Sequence, residues 1–282
     1  MEILEVKSKP INAKEYKARF ATEQDAEILI KNDTLIVEDG QPIVLYKKID
    51  WCDTLELRNV CKKVRYEKNV RLPRFGRPGI STNSAIFGFK PRSAIRQDFC
   101  SATRMATSFQ SGHKIITDFA SNLNDVYREF FPEQYHKHEQ EVKERVRPEW
   151  IIPESVFTSG IINKNNPLQY HTDTGNFRGV ASNMIAFRDG IFGGRLVMPE
   201  YNLKLEIADN TITIFNGQEI VHGVTPLKKF KADGYRYTLV YYSLEQMWKC
   251  DSVDEEVLRI RRLKKEREIR RMDAPNSEAN KQ

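Results

Sequence analysis

The chain has 282 residues, with 45 Lys and Arg against 39 Asp and Glu, so it is weakly basic at +6. A composition 40% hydrophobic and 30% charged excludes collagen, coiled coil and wholesale disorder, and suits a globular protein with a sizeable core. No stretch approaches the roughly 20 apolar residues that cross a bilayer, so no membrane role is expected.

Residues 1–10 alternate charged and apolar side chains and do not read as a signal peptide. Residues 35–37 and 43–46 are apolar and flank Asp39-Gly40, a hairpin signal. Between residues 62 and 96 stand ten cations: Lys62, Lys63, Arg65, Lys68, Arg71, Arg74, Arg77, Lys90, Arg92 and Arg96. Only Glu67 opposes them, and Tyr66, Phe75, Phe87 and Phe89 are interleaved. Such a stretch can track a phosphate backbone and offer rings for stacking. A solvated basic loop is the plain alternative.

Apolar residues from Ile115 to Phe130 recur at helical spacing, Pro132 interrupts them, and residues 133–146 suit a second helix. Within that charged stretch His136 and His138 need no function. After Pro153 the texture changes to short strands at 156–162, 182–187, 195–198, 203–207, 211–215 and 236–243, broken by Gly193-Gly194, Asp209-Asn210 and Asn216-Gly217. Closely spaced strands without intervening helices predict an antiparallel sandwich or barrel. Residues 1–250 read as one domain, with strands, basic segment and supporting helices in 1–150 and the core in 151–250. Residues 251–282 read as a charged helix and a disordered tail. The cysteines Cys52, Cys61, Cys100 and Cys250 lack CxxC or zinc-finger spacing, so they read as reduced thiols of a cytoplasmic protein.

His171-Thr172-Asp173 puts an imidazole and a carboxylate two residues apart, on one side of an extended backbone. His222 follows about fifty residues later. Two His and one carboxylate on one face of an octahedron leave three positions open, the donor set of non-haem Fe(II) oxygenases. A lone His-x-Asp is common and usually structural. Arg236 raises the case: it opens the half-buried strand Tyr-Arg-Tyr-Thr-Leu-Val-Tyr-Tyr, where a guanidinium is costly unless a carboxylate meets it. The far carboxylate of 2-oxoglutarate would meet it bidentately. Thr238, two residues on, points to the same side and can donate its hydroxyl.

This pattern resembles the Fe(II)/2-oxoglutarate dioxygenases. His171-Thr-Asp173-Thr-Gly-Asn176 is similar to the His-x-Asp-x-x-Asn motif of the TET/JBP branch, enzymes that oxidise the 5-methyl group of pyrimidines in DNA. Gly193-Gly194-Arg-Leu-Val, Val221-His222-Gly-Val-Thr-Pro226 and the strand 236–242 match the same branch. The resemblance covers residues 153–243 and, loosely, 87–146. It implies an α+β fold, a double-stranded β-helix (jelly-roll) core with flanking helices on one face. It implies Fe(II) on His171, Asp173 and His222, 2-oxoglutarate on Arg236, dioxygen as the other reactant, and Asn176 on a flipped base. Arg92 and Arg96 are the cations expected nearest the iron. A carboxylate at position 173, where halogenase relatives give it up, implies hydroxylation.

The chain lacks the cysteine-rich zinc-binding module of animal TET enzymes and carries Leu244 where those present a base-contacting histidine. It therefore looks like a minimal phage or bacterial member, acting as a monomer in the cytoplasm (the host's, if viral). Its expected reaction converts 5-methylcytosine in DNA to 5-hydroxymethylcytosine, with further rounds giving 5-formyl- and 5-carboxylcytosine. The competing readings are thymine as the base, hydroxylation of a protein side chain or small metabolite, and a non-enzymatic nucleic-acid-binding barrel.

Overall fold

The computed structural model describes residues 1–16, 19–71, 80–93 and 97–273. Arg74, Phe75, Arg77, Arg96 and the tail 274–282 lie outside the described residues. In chain order the elements are β1 (Glu2–Glu5), α1 (Ala13–Tyr16), β2 (Ile28–Ile30), β3 (Thr34–Glu38), β4 (Gln41–Lys48), α2 (Leu55–Lys63), β5 (Glu67–Arg71), β6 (Ile80–Lys90) and β7 (Ser101–Ala102). Four helices follow: α3 (Arg104–Ser108), α4 (Gln110–Phe119), α5 (Ser121–Phe130) and α6 (Pro132–Arg145). Then come β8 (Ser159–Lys164), β9 (Ser182–Asp189), β10 (Ile191–Gly193), β11 (Leu196–Met198), β12 (Leu203–Leu205), β13 (Thr211–Phe215), β14 (Gly223–Val224), β15 (Leu227–Lys229), β16 (Tyr235–Tyr242) and α7 (Val253–Asp273).

The large sheet runs β1-β3-β4-β13-β9-β16-β8-β6-β5, with β7 on β6, and a small sheet runs β14-β11-β12-β2. Side-chain alternation sorts the core into two layers. From β9 and β16, Ile185, Phe187, Tyr237, Leu239 and Tyr241 join residues of α2 to α6. Met184, Ala186 and Val240 point the other way, onto Leu196, Met198, Leu203 and Leu205 of the small sheet. Helices therefore cover one face of the large sheet, and the space between the sheets is the jelly-roll interior. The architecture expected from the sequence is the one observed.

Asp39 and Gly40 both have positive φ, 49° and 76°, as a two-residue hairpin turn requires, and they join β3 to β4. The single helix expected up to residue 130 is two, because the Ala120 N–H bonds to Thr117 O, a three-residue step that kinks the path while the apolar spacing continues. Pro132 ends one helix and opens the next at its first turn, where its missing N–H costs nothing. The segment 62–96 is not a plain basic loop: it contains the end of α2 and the β5–β6 hairpin.

Two expectations need correction. Cys100 and Cys250, 150 residues apart, form a disulfide, leaving Cys52 and Cys61 free. Spacing rules see neighbours along the chain, whereas this pair meets through a cluster that includes Trp150, Phe177 and Met247. The inference of a reducing compartment loses that support. His138 is not a solvated helix residue: it is fully buried against Tyr127, Phe157 and Phe177, with Nε2 2.8 Å from Ser243 Oγ. Among the described residues no helix is long and apolar enough to cross a membrane.

Candidate metal centre

His171 and His222 face each other as an isolated antiparallel bridge, His171 N–H to His222 O at 2.9 Å and the reverse at 3.0 Å. The Asp173 N–H continues the pairing to Gly217 O at 2.8 Å. Backbone pairing thus carries residues fifty apart to one spot. Asp173 Oδ1 lies 3.6 Å from His171 Nε2 and 3.9 Å from His222 Nε2. Cis ligands on bonds of about 2.1 Å sit roughly 3 Å apart, so a small contraction closes this set on one ion. The three form the one such cluster among the described residues.

Each imidazole is oriented for ligation. His171 Nδ1 lies 2.7 Å from Gln169 O and His222 Nδ1 2.9 Å from Ile220 O. A carbonyl only accepts, so both protons sit on Nδ1 and both Nε2 lone pairs face Asp173. Burial, reinforced by His171, pushes His222 down to about 4 against the pull of Asp173, so that imidazole is neutral at pH 7. His222 is buried, while His171 and Asp173 are about one-third accessible, which opens the centre on one side.

Arg236 is 3% exposed, and its Nε has no hydrogen-bond partner among the described residues; nor does any carboxylate there pair with it. Burial and the neighbouring Arg188 push it down to about 9. Arg188, opposite it across β9 and β16, spends its donors on the carbonyls of Ile191, Glu206 and Ile207. A guanidinium buried beside a second cation, without an acid, has the chemistry to take an anion. Thr238 is also buried and shares its face, as expected. Gly194 makes room for the arginine: a Cβ there would lie 2.9 Å from Arg236 Cδ. The donor set and the orphaned guanidinium together fit Fe(II) and a dicarboxylate such as 2-oxoglutarate.

Asn176 is buried and donates from Nδ2 to Ser182 Oγ at 3.3 Å; its amide oxygen has no partner among the described residues. Arg92, expected at the substrate, spends its donors inside the protein. Its Nε reaches Glu256 Oε1 at 3.0 Å, and its Nη2 bonds Glu256 and Asp251. Arg96 is outside the described residues. Sequence reasoning passed over Tyr242, whose phenol is raised by burial and by the charge of Asp173. The signal was present: Tyr242 is six residues after Arg236, on the same face of the strand.

Residues 91–245, more than half of the chain, match the Tet_JBP family, described as the oxygenase domain of the 2OGFeDO superfamily. A search of curated protein sequences finds no match. Among solved structures the chain is similar to NgTET1 in complex with 5mC DNA, at TM-score 0.59 and 13% identity, over 87% of this chain and 90% of that one. It also matches OsALKBH1, at TM-score 0.45, 14% identity, 72% of this chain and 97% of that one. A third is a 2OG-Fe(II) oxygenase family oxidoreductase from Burkholderia pseudomallei, at 0.42, 10%, 86% and 95%. At such identities the likeness is one of fold. The chain belongs to the Tet_JBP oxygenase family of the 2OGFeDO superfamily.

Proposed function

We propose that this oxygenase acts on DNA, oxidising the 5-methyl group of 5-methylcytosine to the hydroxymethyl and, in further rounds, the formyl and carboxyl products. The carrying observation is the pairing of an open His171–Asp173–His222 cluster with a buried guanidinium, Arg236, that lacks an acid. The substrate class is supported by the family match and by the likeness to NgTET1, described in complex with 5mC DNA.

In this reading His171, Asp173 and His222 hold Fe(II), and Arg236 with Thr238 holds the distal carboxylate of 2-oxoglutarate. Bound together with dioxygen, these groups supply the oxidising chemistry that turns a methyl C–H into an alcohol. The chain's own part is placement. The Nδ1 contacts to Gln169 and Ile220 hold both imidazoles ready as ligands, and Arg236 would anchor the far carboxylate of the cosubstrate. A stacked pyrimidine reaches a centre between two sheets only by leaving the helix, so the target nucleotide is flipped. Asn176 is the proposed reader of its edge, since an amide both donates and accepts. Tyr242, whose buried phenol feels the charge of Asp173, adds a flat ring near the centre.

The test is succinate release from 2-oxoglutarate with Fe(II) and ascorbate, with and without a methylated oligonucleotide. Stimulation by methylated but not unmethylated DNA supports the reading. Turnover indifferent to DNA keeps the oxygenase and removes the substrate.

A further inference from the structure

β5 begins at Glu67, opposite Ser84, while β6 runs on to Lys90 and is next covered on that side by β7 at Phe89. The intervening sheet edge faces the end of α2 and the start of α3, and a cavity of about 340 Å³ lies there. Lys63, Arg65 and Arg104 line it, with Glu67 as the one acid. Glu67 reaches Arg104 at 3.5 Å with both side chains more than half exposed, so that pair is weak. Lys63 and Arg65 have no ion-pair partner among the described residues. Its apolar lining is Ala85, Met105 and Phe109, all in or against the cluster under the helices, while Ile86 stands exposed at its rim.

The cavity opens at the rim of the sheet, where the exposed Ile86 stands on the face that also carries Tyr242. Gly88 of β6 faces Ser159 of β8, which faces Tyr242 of β16. Ile86 is therefore two strand spacings across and two residues along from Tyr242, roughly 12 Å. That is about three to four phosphate intervals of a B-form strand. Three cations suit a phosphate, and an apolar wall within a cavity suits a flat ring; a merely solvating basic patch needs no cavity.

We infer that this edge cavity is a subsite for a second nucleotide of the nucleic-acid strand that presents its target to the metal centre, the cations taking phosphate and the Met105–Phe109 wall taking the base. The inference rests on the DNA reading above. It makes the flanking sequence, and not only the flipped base, part of what the protein reads.

The experiment is fluorescence anisotropy with a labelled, unmethylated DNA duplex across a salt series. It compares the full chain with a Lys63→Gln, Arg65→Gln, Arg104→Gln variant and with a Lys7→Gln, Lys9→Gln, Lys31→Gln control. The control cations are exposed and sit about β1 and β3, at the opposite edge of the large sheet. Expected for the cavity variant is at least a tenfold loss of affinity at ~0.1 M salt. Its slope of log K against log salt is shallower by about 0.9, the value for one phosphate contact on B-form DNA. The control keeps both. If the wild type binds and the cavity variant matches it, or the control loses as much, the subsite is overturned while the DNA reading stands. If the wild type binds no DNA, the DNA reading fails first and the subsite with it.

Discussion

Asp173 stands in a space that Gly217 leaves open: its N–H bonds Gly217 O at 2.8 Å, and a Cβ on Gly217 would lie 2.3 Å from Asp173 Oδ2. One methyl group at position 217 would therefore push the carboxylate out of line with both imidazoles. Gly217→Ala should fold normally but bind metal about 10–100-fold more weakly, the range for a disturbed ligand support. Anaerobic Fe(II) titration, or Mn(II) by calorimetry, reads this directly. Wild-type affinity in the variant would show that the carboxylate is not a ligand.

Arg236 should show opposite effects on stability and on function. Arg236→Met removes a buried cation that no described carboxylate pairs with, so the ligand-free fold should be unharmed or gain about 1–4 kcal/mol in denaturant unfolding. The same change should raise KM for 2-oxoglutarate roughly 100-fold or more, because two charge-assisted hydrogen bonds are lost. A stability loss with unchanged KM would mark Arg236 as structural.

Buried His138 makes the fold acid-sensitive. Burial pushes it from 6.5 down to about 3, so in the folded state it stays neutral while the unfolded chain takes a proton. Above pH 6.5 neither state is protonated there and the contribution is flat. As pH falls from 6.5 toward 3, the unfolded state gains the proton and stability drops by at most about 1.4 kcal/mol per pH unit. Urea midpoints measured from pH 7 to about pH 4.5 should fall less steeply in His138→Gln than in wild type. Equal slopes would remove His138 as the cause.

The Cys100–Cys250 bridge closes a loop 150 residues long, for which chain entropy gives about 5 kcal/mol. Treatment with dithiothreitol should lower the guanidinium midpoint, and a Cys100→Ser, Cys250→Ser variant should start low and ignore the reductant. A midpoint that dithiothreitol leaves in place would mean that the bridge adds nothing to stability.

The candidate site was legible where chemistry forces residue type and spacing. His171 and Asp173 must alternate with one residue to share a face, and Arg236 and Thr238 share a face for the same reason. The hairpin at Asp39-Gly40 was legible because few residues tolerate two positive φ angles. What escaped depends on which distant segments meet. Nothing local marks Cys100 for Cys250, or Arg92 for Glu256, whose carboxylate is buried under the first turn of α7. His138 escaped because a helix with charges on most faces still buries one side, and that side holds Tyr135, His138 and Val142. Gly217 read as turn punctuation, since the crowding that demands a glycine comes from a side chain 44 positions away.

The most direct test is mass spectrometry of nucleosides from 5-methylcytosine-containing DNA after incubation with the protein, Fe(II), ascorbate and 2-oxoglutarate. A His171→Ala, Asp173→Ala variant runs in parallel. Expected is 5-hydroxymethylcytosine, with or without its formyl and carboxyl descendants, in the wild-type reaction alone. Untouched 5-methylcytosine alongside steady succinate release would contradict the DNA 5-methylcytosine assignment and leave an oxygenase of another substrate.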